Sequence, residues 1–177
     1  MGTAAVFNSI NAINEAYRKK IAAVTPEKFQ QNPADGGWSY AEVYSHIFDL
    51  SILSLEAIDR CLSPDAKQRK TPFITKLILF FGMFPPAMKF KVPKQFESRV
   101  KKISIPEAKA LMESFEDKLQ QYPMRVAQAA SDAKAGHPRL GYMNAAQWMR
   151  FIEIHLKHHL KQLKRIDKQD NFTSLRP

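Results

Sequence analysis

Cysteine is almost missing from this chain: Cys61 is the only one among 177 residues. One cysteine excludes an intrachain disulfide and agrees with a reducing cytoplasm, the compartment expected here. Long hydrophobic runs are missing too. The most apolar stretch, "FITKLILFFGMFPPAMKF", is interrupted by Lys76, Gly82 and the Pro85-Pro86 pair, and is too short to cross a bilayer. No membrane partner is therefore expected. The first twenty residues lack a charged region followed by an apolar run, so no secretory signal is expected. Gly2 invites N-myristoylation, but Val6 stands where the motif requires Ser or Thr. Internal repeats, low-complexity tracts and clear strand alternation are also absent.

What is present fits one domain spanning residues 1–177. An apolar share of 45% with 25% charged residues is that of a globular chain. A domain of this length buries a core without disulfide or metal staples, so a metal here would serve chemistry rather than folding. The net charge is +10 and unevenly placed. Between Lys67 and Lys102 ten basic residues, Lys67, Arg69, Lys70, Lys76, Lys89, Lys91, Lys94, Arg99, Lys101 and Lys102, face a single acid, Glu97. Such an excess can attract nucleic acid, an anionic membrane surface or an acidic substrate. No nucleic-acid motif accompanies it, so it reads first as a solvated crossover.

Hydrophobic periodicity defines four helices. The first runs from about Thr3 to Val24, with Val6, Ile10, Ile13, Tyr17 and Ile21 at three- and four-residue steps. "TPEKFQQNPADGGW" breaks the pattern. "SYAE" is a capping box that starts a second helix at Ser39, reaching about Cys61. Ser104 and Glu107 repeat that spacing before a third helix, which Pro123 kinks or ends, with a further piece reaching about Lys134. "AGHPRLGYM" reads as a loop. Asn144 and Gln147 form a weaker cap for a fourth helix running to about Lys168, and "DNFTSLRP" reads as a loose tail. Ser63 to Ile103 is too long for a tight loop. It suits an all-α four-helix bundle in which helices two and three run parallel, joined by a long crossover. "TKLILFFGMF" should form a short helix within that crossover, packed over the bundle.

Three of the five histidines fall in "EIHLKHHLKQL". On a wheel with His155 at the origin, His159 lies at about 40°, Trp148 and Ile166 at about 20°, Gln162 at about −20° and Ile152 at about 60°. His158 lies at about −60°, on the flank of this apolar stripe. His155 and His159 are thus one turn apart and able to converge on one ion, with His158 the less suited partner. His46 shares the core-facing stripe of helix two with Val43, Leu50, Leu53 and Ala57. One imidazole from helix two and two from helix four can then meet inside the bundle, where such folds build metal sites. Core histidines satisfied by hydrogen bonds are nevertheless commoner than ligands. The pattern also lacks the Glu of the zinc-protease H-E-x-x-H motif. His137, in a loop beside Pro138, reads as structural.

Neutral imidazole suits zinc, nickel, iron and copper. Three protein ligands leave the rest of the ion's shell open. Such an ion lowers the pKa of bound water or thiol, or polarises a carbonyl.

Two segments resemble the DinB/YfiT-like superfamily. "GGWSYAEVYSHIFDLS" is similar to its helix-two signature, with a Trp, a short cap and a His further in. "HPRLGYMNAAQWMRFIEIHLKHHLKQLKRID" is similar to its last helix, where a Trp precedes an H-x-x-x-H pair and a Gln follows three residues later. Here these are Trp148, His155, His159 and Gln162. The H-H pair made by His158 and His159 resembles one poorly characterised branch. The resemblance implies an up-down-down-up four-helix bundle and a divalent metal held by His46, His155 and His159. Zinc and nickel are the first candidates, iron and manganese the next. It also implies a thiol-transferase-like or hydrolase-like enzyme whose small-molecule substrate, which could be a low-molecular-weight thiol, is not named. No thiol-binding signature is visible, and the catalytic residues stay unassigned.

Asp49, one turn after His46, is a candidate behind the metal or facing substrate, with a solvated carboxylate as the alternative. Glu42 reads as the cap alone. Gln162 reads either as a hydrogen-bond partner near the site or as part of a helix contact. The alternative to an enzyme is a binding module whose basic crossover docks nucleic acid or another anionic partner. Phe80, Phe81, Phe84, Phe90 and Phe96 lie near those charges, but packing over the bundle explains them equally. The apolar crossover also offers a homodimer face.

Overall fold

The computed structural model describes residues 2–34, 36–85 and 97–173, the last four by backbone alone. Lys89, Lys91, Lys94, Phe90 and Phe96 of the basic crossover therefore lie outside the described residues.

Helix α1 spans Thr3–Ala23, and its buried residues Val6, Ile10, Ile13, Tyr17 and Ile21 are the stripe that periodicity selects. The following break contains one more turn, α2, Pro26–Gln30. Its N-cap Thr25 accepts from the Lys28 backbone, and Pro26 occupies the first turn, where no N–H is missed. Helix α3, Tyr40–Leu62, starts at the Ser39 capping box with both reciprocal bonds formed. Glu42 also accepts the Ser39 hydroxyl at 2.7 Å and the Asn32 amide at 2.8 Å, so the box is tied to the preceding loop.

The crossover contains α4, Phe73–Phe81. Gly82 ends it in the left-handed region at φ 69°, its N–H donating to the Ile78 carbonyl. Helix α5, Ile105–Leu119, carries the second capping box at Ser104 and Glu107. Pro123 does not kink a continuing helix. It sits in the first turn of a separate short helix, α6, Tyr122–Ala127, which stops before Lys134. Helix α7, Ala145–Thr173, is capped reciprocally: Gln147 N–H donates to Asn144 Oδ1 at 2.9 Å, and Asn144 N–H to Gln147 Oε1 at 3.0 Å. It runs five residues beyond Lys168, and residues 174–177 of the expected loose tail lie outside the described ones.

"AGHPRLGYM" is a hairpin rather than a loop. Strand β1, Lys134–His137, pairs antiparallel with β2, Gly141–Asn144, in the register Ala135 to Met143 and Gly136 to Tyr142. Four-residue strands containing glycines are too short to display alternation, but Ala135 and Met143 are buried and anchor the hairpin to the core. His137 closes the turn. Its Nδ1 accepts the backbone N–H groups of Arg139 and Leu140, each at 3.1 Å. Lys67 and Lys134 exchange two backbone bonds, pinning the crossover to β1.

Side-chain pairings set the helix directions. Tyr17 donates to the Leu156 carbonyl at 2.9 Å and Lys20 pairs with Asp167, so α1 runs alongside α7 in the same sense. Tyr40 reaches Asp167 and Cys61 reaches the Met143 carbonyl, so α3 runs against α7. Ser45 bonds to the backbone of Arg99 and Lys101 just ahead of α5, and Phe48 meets Phe115 within it, so α3 and α5 run together. Two parallel neighbours cannot be joined by a short turn, which explains the length of chain between α3 and α5. The core is aromatic at its centre: Tyr17, Tyr44, Phe48 and Phe115 are buried, with Tyr17 edge-on to both Tyr44 and Phe48.

Candidate metal centre

Opposed packing of α3 and α7 brings His46 to the level of His155 and His159. The His46 ring centre lies 4.8 Å from that of His159 and 5.2 Å from that of His155, and the latter two are 4.7 Å apart. Each ring offers one nitrogen, and these three atoms all lie within 4.8 Å of one another. His46 and His159 are buried, while His155 keeps partial exposure towards a cavity. His158 is exposed and stands beside the trio, its ring 5.1 Å from His159 and 5.4 Å from Phe84.

The surroundings orient the rings. Trp38 stacks on His159 at 6.0 Å and 6° and meets the edge of His46 at 4.8 Å. It directly precedes the Ser39 cap, so the same motif that starts α3 presents this ring to the site. Phe151, one turn before His155 on α7, stacks on it at 5.4 Å. Gln162 Oε1 lies 2.8 Å from His159 Nδ1. With the Gln162 carbonyl oxygen accepting, Nδ1 is the protonated nitrogen and Nε2 is the one able to ligate. That Nε2 is 3.1 Å from His155 Nε2. Two nitrogens bound about 2.0–2.1 Å from one ion stand roughly 3 Å apart, so this donor pair fits a divalent cation without rearrangement.

Burial keeps the imidazoles neutral. Desolvation pushes His46 down to about 4, partly opposed by the Asp49 carboxylate and reinforced by His158. Desolvation also holds His155 and His159 well below the ordinary histidine value, each further depressed by its histidine neighbours. Neutral rings keep their lone pairs available near pH 7.

Beside the rings lies a cavity of about 190 Å³. Its walls include Leu50 and Leu53 from α3, Phe84, Trp148 and Phe151 from α7, and the hairpin residues 136–140. His137, besides closing the hairpin turn, is thus part of this wall. Its ring packs 4.9 Å from Phe151, and burial pushes it down to about 4, helped by Arg139.

Asp49 acts on His46 only through its charge and is not in the cavity wall. Both its oxygens accept from Arg99, at 2.6 and 2.9 Å. Glu42 is the cap, as its spacing requires, and Gln162 takes the first of its two expected roles. Trp38 was not singled out by residue chemistry, although an aromatic just before a capping box is a staple position.

This is a helical bundle with three convergent histidines, and the chain belongs to the DinB superfamily, whose family description matches residues 11–163. It is similar to a solved structure described as a four-helix bundle protein, TT2238, at 16% identity and a TM-score of 0.62. The match covers 92% of this chain and 98% of that one, and it speaks for the fold alone. No curated protein matches the chain. Among the described residues, no helix is long and apolar enough to cross a membrane.

Proposed function

We propose that the protein is a metal-dependent enzyme, thiol-transferase-like or hydrolase-like, in which His46, His155 and His159 hold a divalent ion. Zinc or nickel suits three neutral nitrogens best, with iron or manganese next. The observation that carries the reading is convergence: one nitrogen from each of the three imidazoles lies within 4.8 Å of the others, with Gln162 Oε1 beside His159 Nδ1. When bound, the ion would supply Lewis acidity to a thiol, water or carbonyl in the cavity. The chain's own part is to orient and to exclude water. Trp38 and Phe151 hold the rings by their faces, and Leu50, Leu53 and Trp148 give the substrate side a low-dielectric wall.

Metal analysis of untagged protein, with His46→Ala and His155→Ala alongside, tests the site. The expected outcome is near-stoichiometric metal in the wild type and strong loss in both variants. Equal, near-zero metal in all three overturns it.

A second reading concerns assembly. Helix α4 exposes Phe80 by 79%, Phe73 by 75% and Phe81 by 64%. Large aromatics gathered on one short helix favour a homodimer face there, compatible with either function. Docking of nucleic acid by the basic crossover gains no such support. Arg99 is engaged by Asp49, and Lys102 donates to the Gln30 carbonyl at 2.8 Å.

A further inference from the structure

We infer that the cavity beside the histidines binds an apolar molecule with one anionic head, a medium-chain carboxylate, whose charge is received by Arg60 and Arg139. This deepens the enzyme reading and rests on it for the role of the histidine end. The binding of the anion itself stands on separate residues.

Three observations carry the inference. The first is the composition of the wall. Apart from the histidines, Ser54 and the two arginines the described lining is apolar, with Leu50, Leu53, Leu140, Trp148 and Phe151 among it, and it contains no Asp or Glu. An anion inside meets no like charge there. The second is the placement of the cations. Arg60 follows His46 by fourteen residues on α3, which is about −40° around the helix and about 21 Å along it, so both lie on one face. Arg139 projects from the hairpin turn held by His137. Both cationic residues thus border the cavity that the imidazoles also line.

The third observation is that no neighbouring acid is paired with these arginines among the described residues. Asp59 receives Arg125 at 2.8 Å and the Tyr122 hydroxyl at 2.7 Å. Glu56, one turn before Arg60, lines a different groove, with Asp59, Tyr122 and Arg125. Among the described residues, no carboxylate lies within ion-pair distance of Arg60 or Arg139. A guanidinium offers a fork of donors matched to a carboxylate, and an apolar chain behind it would displace water from the wall.

Both tryptophans of the chain, Trp38 and Trp148, line the cavity, so their emission reports its occupancy directly. Octanoate, 1-octanol and octylammonium are titrated into metal-free protein, which removes any contribution from carboxylate binding to an ion. Octanoate should bind at least roughly tenfold tighter than the alcohol, and the ammonium weakest. Hexanoate, octanoate and decanoate should tighten by roughly fourfold per methylene while the cavity is filling. The double variant Arg60→Gln/Arg139→Gln should bring octanoate to within about twofold of octanol, while Arg60→Lys keeps most of the preference. Both side chains are on exposed residues, so helical circular dichroism should be unchanged, and a variant that retains it reads the pocket rather than the fold. Equal binding of octanoate and octanol by the wild type overturns the inference. So does a preference that survives the double variant, or octanoate binding seen only with metal loaded. Metal content decides the enzyme reading and anion preference in metal-free protein decides this one, so each can fail alone.

Discussion

Metal-free protein should lose stability steeply as pH falls from about 6.5 to about 5, and the histidines set both the sign and the size. In the unfolded chain a histidine titrates near 6.5, whereas burial holds His46 and His137 at about 4 in the fold. Between those values the unfolded chain binds a proton that the folded one refuses, so stability rises with pH by about 1.4 kcal/mol per unit for each such group. Falling from about pH 6.5 to 5 therefore costs about 2 kcal/mol at His46. His137 keeps partial exposure and contributes somewhat less, giving about 3–4 kcal/mol for the two. His155 and His159 are shifted the same way and add to the loss. Against a typical total of about 5–15 kcal/mol, that brings the protein close to acid unfolding. The carboxylates do not confuse the window. Glu42, Glu107, Glu153 and Asp167 are held below their ordinary values by hydrogen bonds or cations, so their contribution is lost only as pH falls below about 4.5. Urea unfolding followed by circular dichroism, in chelator at about pH 7, 6 and 5, measures the slope. His46→Ala should lower that slope by about 1.4 kcal/mol per unit, whatever its cavity does to the absolute stability. A flat stability across this window refutes the claim that these rings are buried and neutral.

Four further outcomes follow from local geometry. Gly141→Ala should cost more than about 1 kcal/mol in thermal unfolding, because φ is 71° there and the new Cβ would stand 2.6 Å from Pro72 Cγ. Ser39→Ala should cost about 1–2 kcal/mol by loss of the buried cap, and should also disturb Trp38 emission, since the cap positions that ring against the histidines. Replacing Phe80 and Phe81 with Glu should leave the fold intact and convert any dimer to monomer by light scattering; an unchanged mass in an oligomeric wild type refutes the α4 interface. Zinc at about a hundredfold above its dissociation constant should stabilise the wild type by about 2.7 kcal/mol at neutral pH and the His155→Ala variant far less.

The helices were legible because each carries redundant signals. Ser39 with Glu42, Ser104 with Glu107 and Asn144 with Gln147 mark three starts, and all three form reciprocal caps. The wheel separated His155 and His159 from His158 because burial on a long helix follows its angular position. What stayed hidden depends on contacts between distant segments. The hairpin at 134–144 has strands too short to show a period, and only packing of Ala135 and Met143 reveals its inner face. Asp49 sits at suitable helical spacing for a site role, yet Arg99, fifty residues later, claims both its oxygens. His137 read as structural from Pro138 alone. That it also lines the cavity follows from how the hairpin docks against α7, which no local pattern encodes.

Much of the core is satisfied independently of the histidine layer. The aromatic centre made by Tyr17, Tyr44, Phe48 and Phe115 is satisfied on its own terms: Tyr17 donates to the Leu156 carbonyl, and Tyr44 donates to the Tyr17 carbonyl at 2.7 Å. Even the buried Glu153 is neutralised locally, by Arg150 and Lys157. The histidine layer carries a desolvation cost: burial keeps its rings neutral, and two of its nitrogens stand 3.1 Å apart. Burying groups that water would rather hydrate costs stability, and an apolar replacement of equal volume would avoid that cost. A bundle that retains the cost beside an open cavity gains nothing in folding from it. Under the reading proposed above, the return comes from what those lone pairs bind.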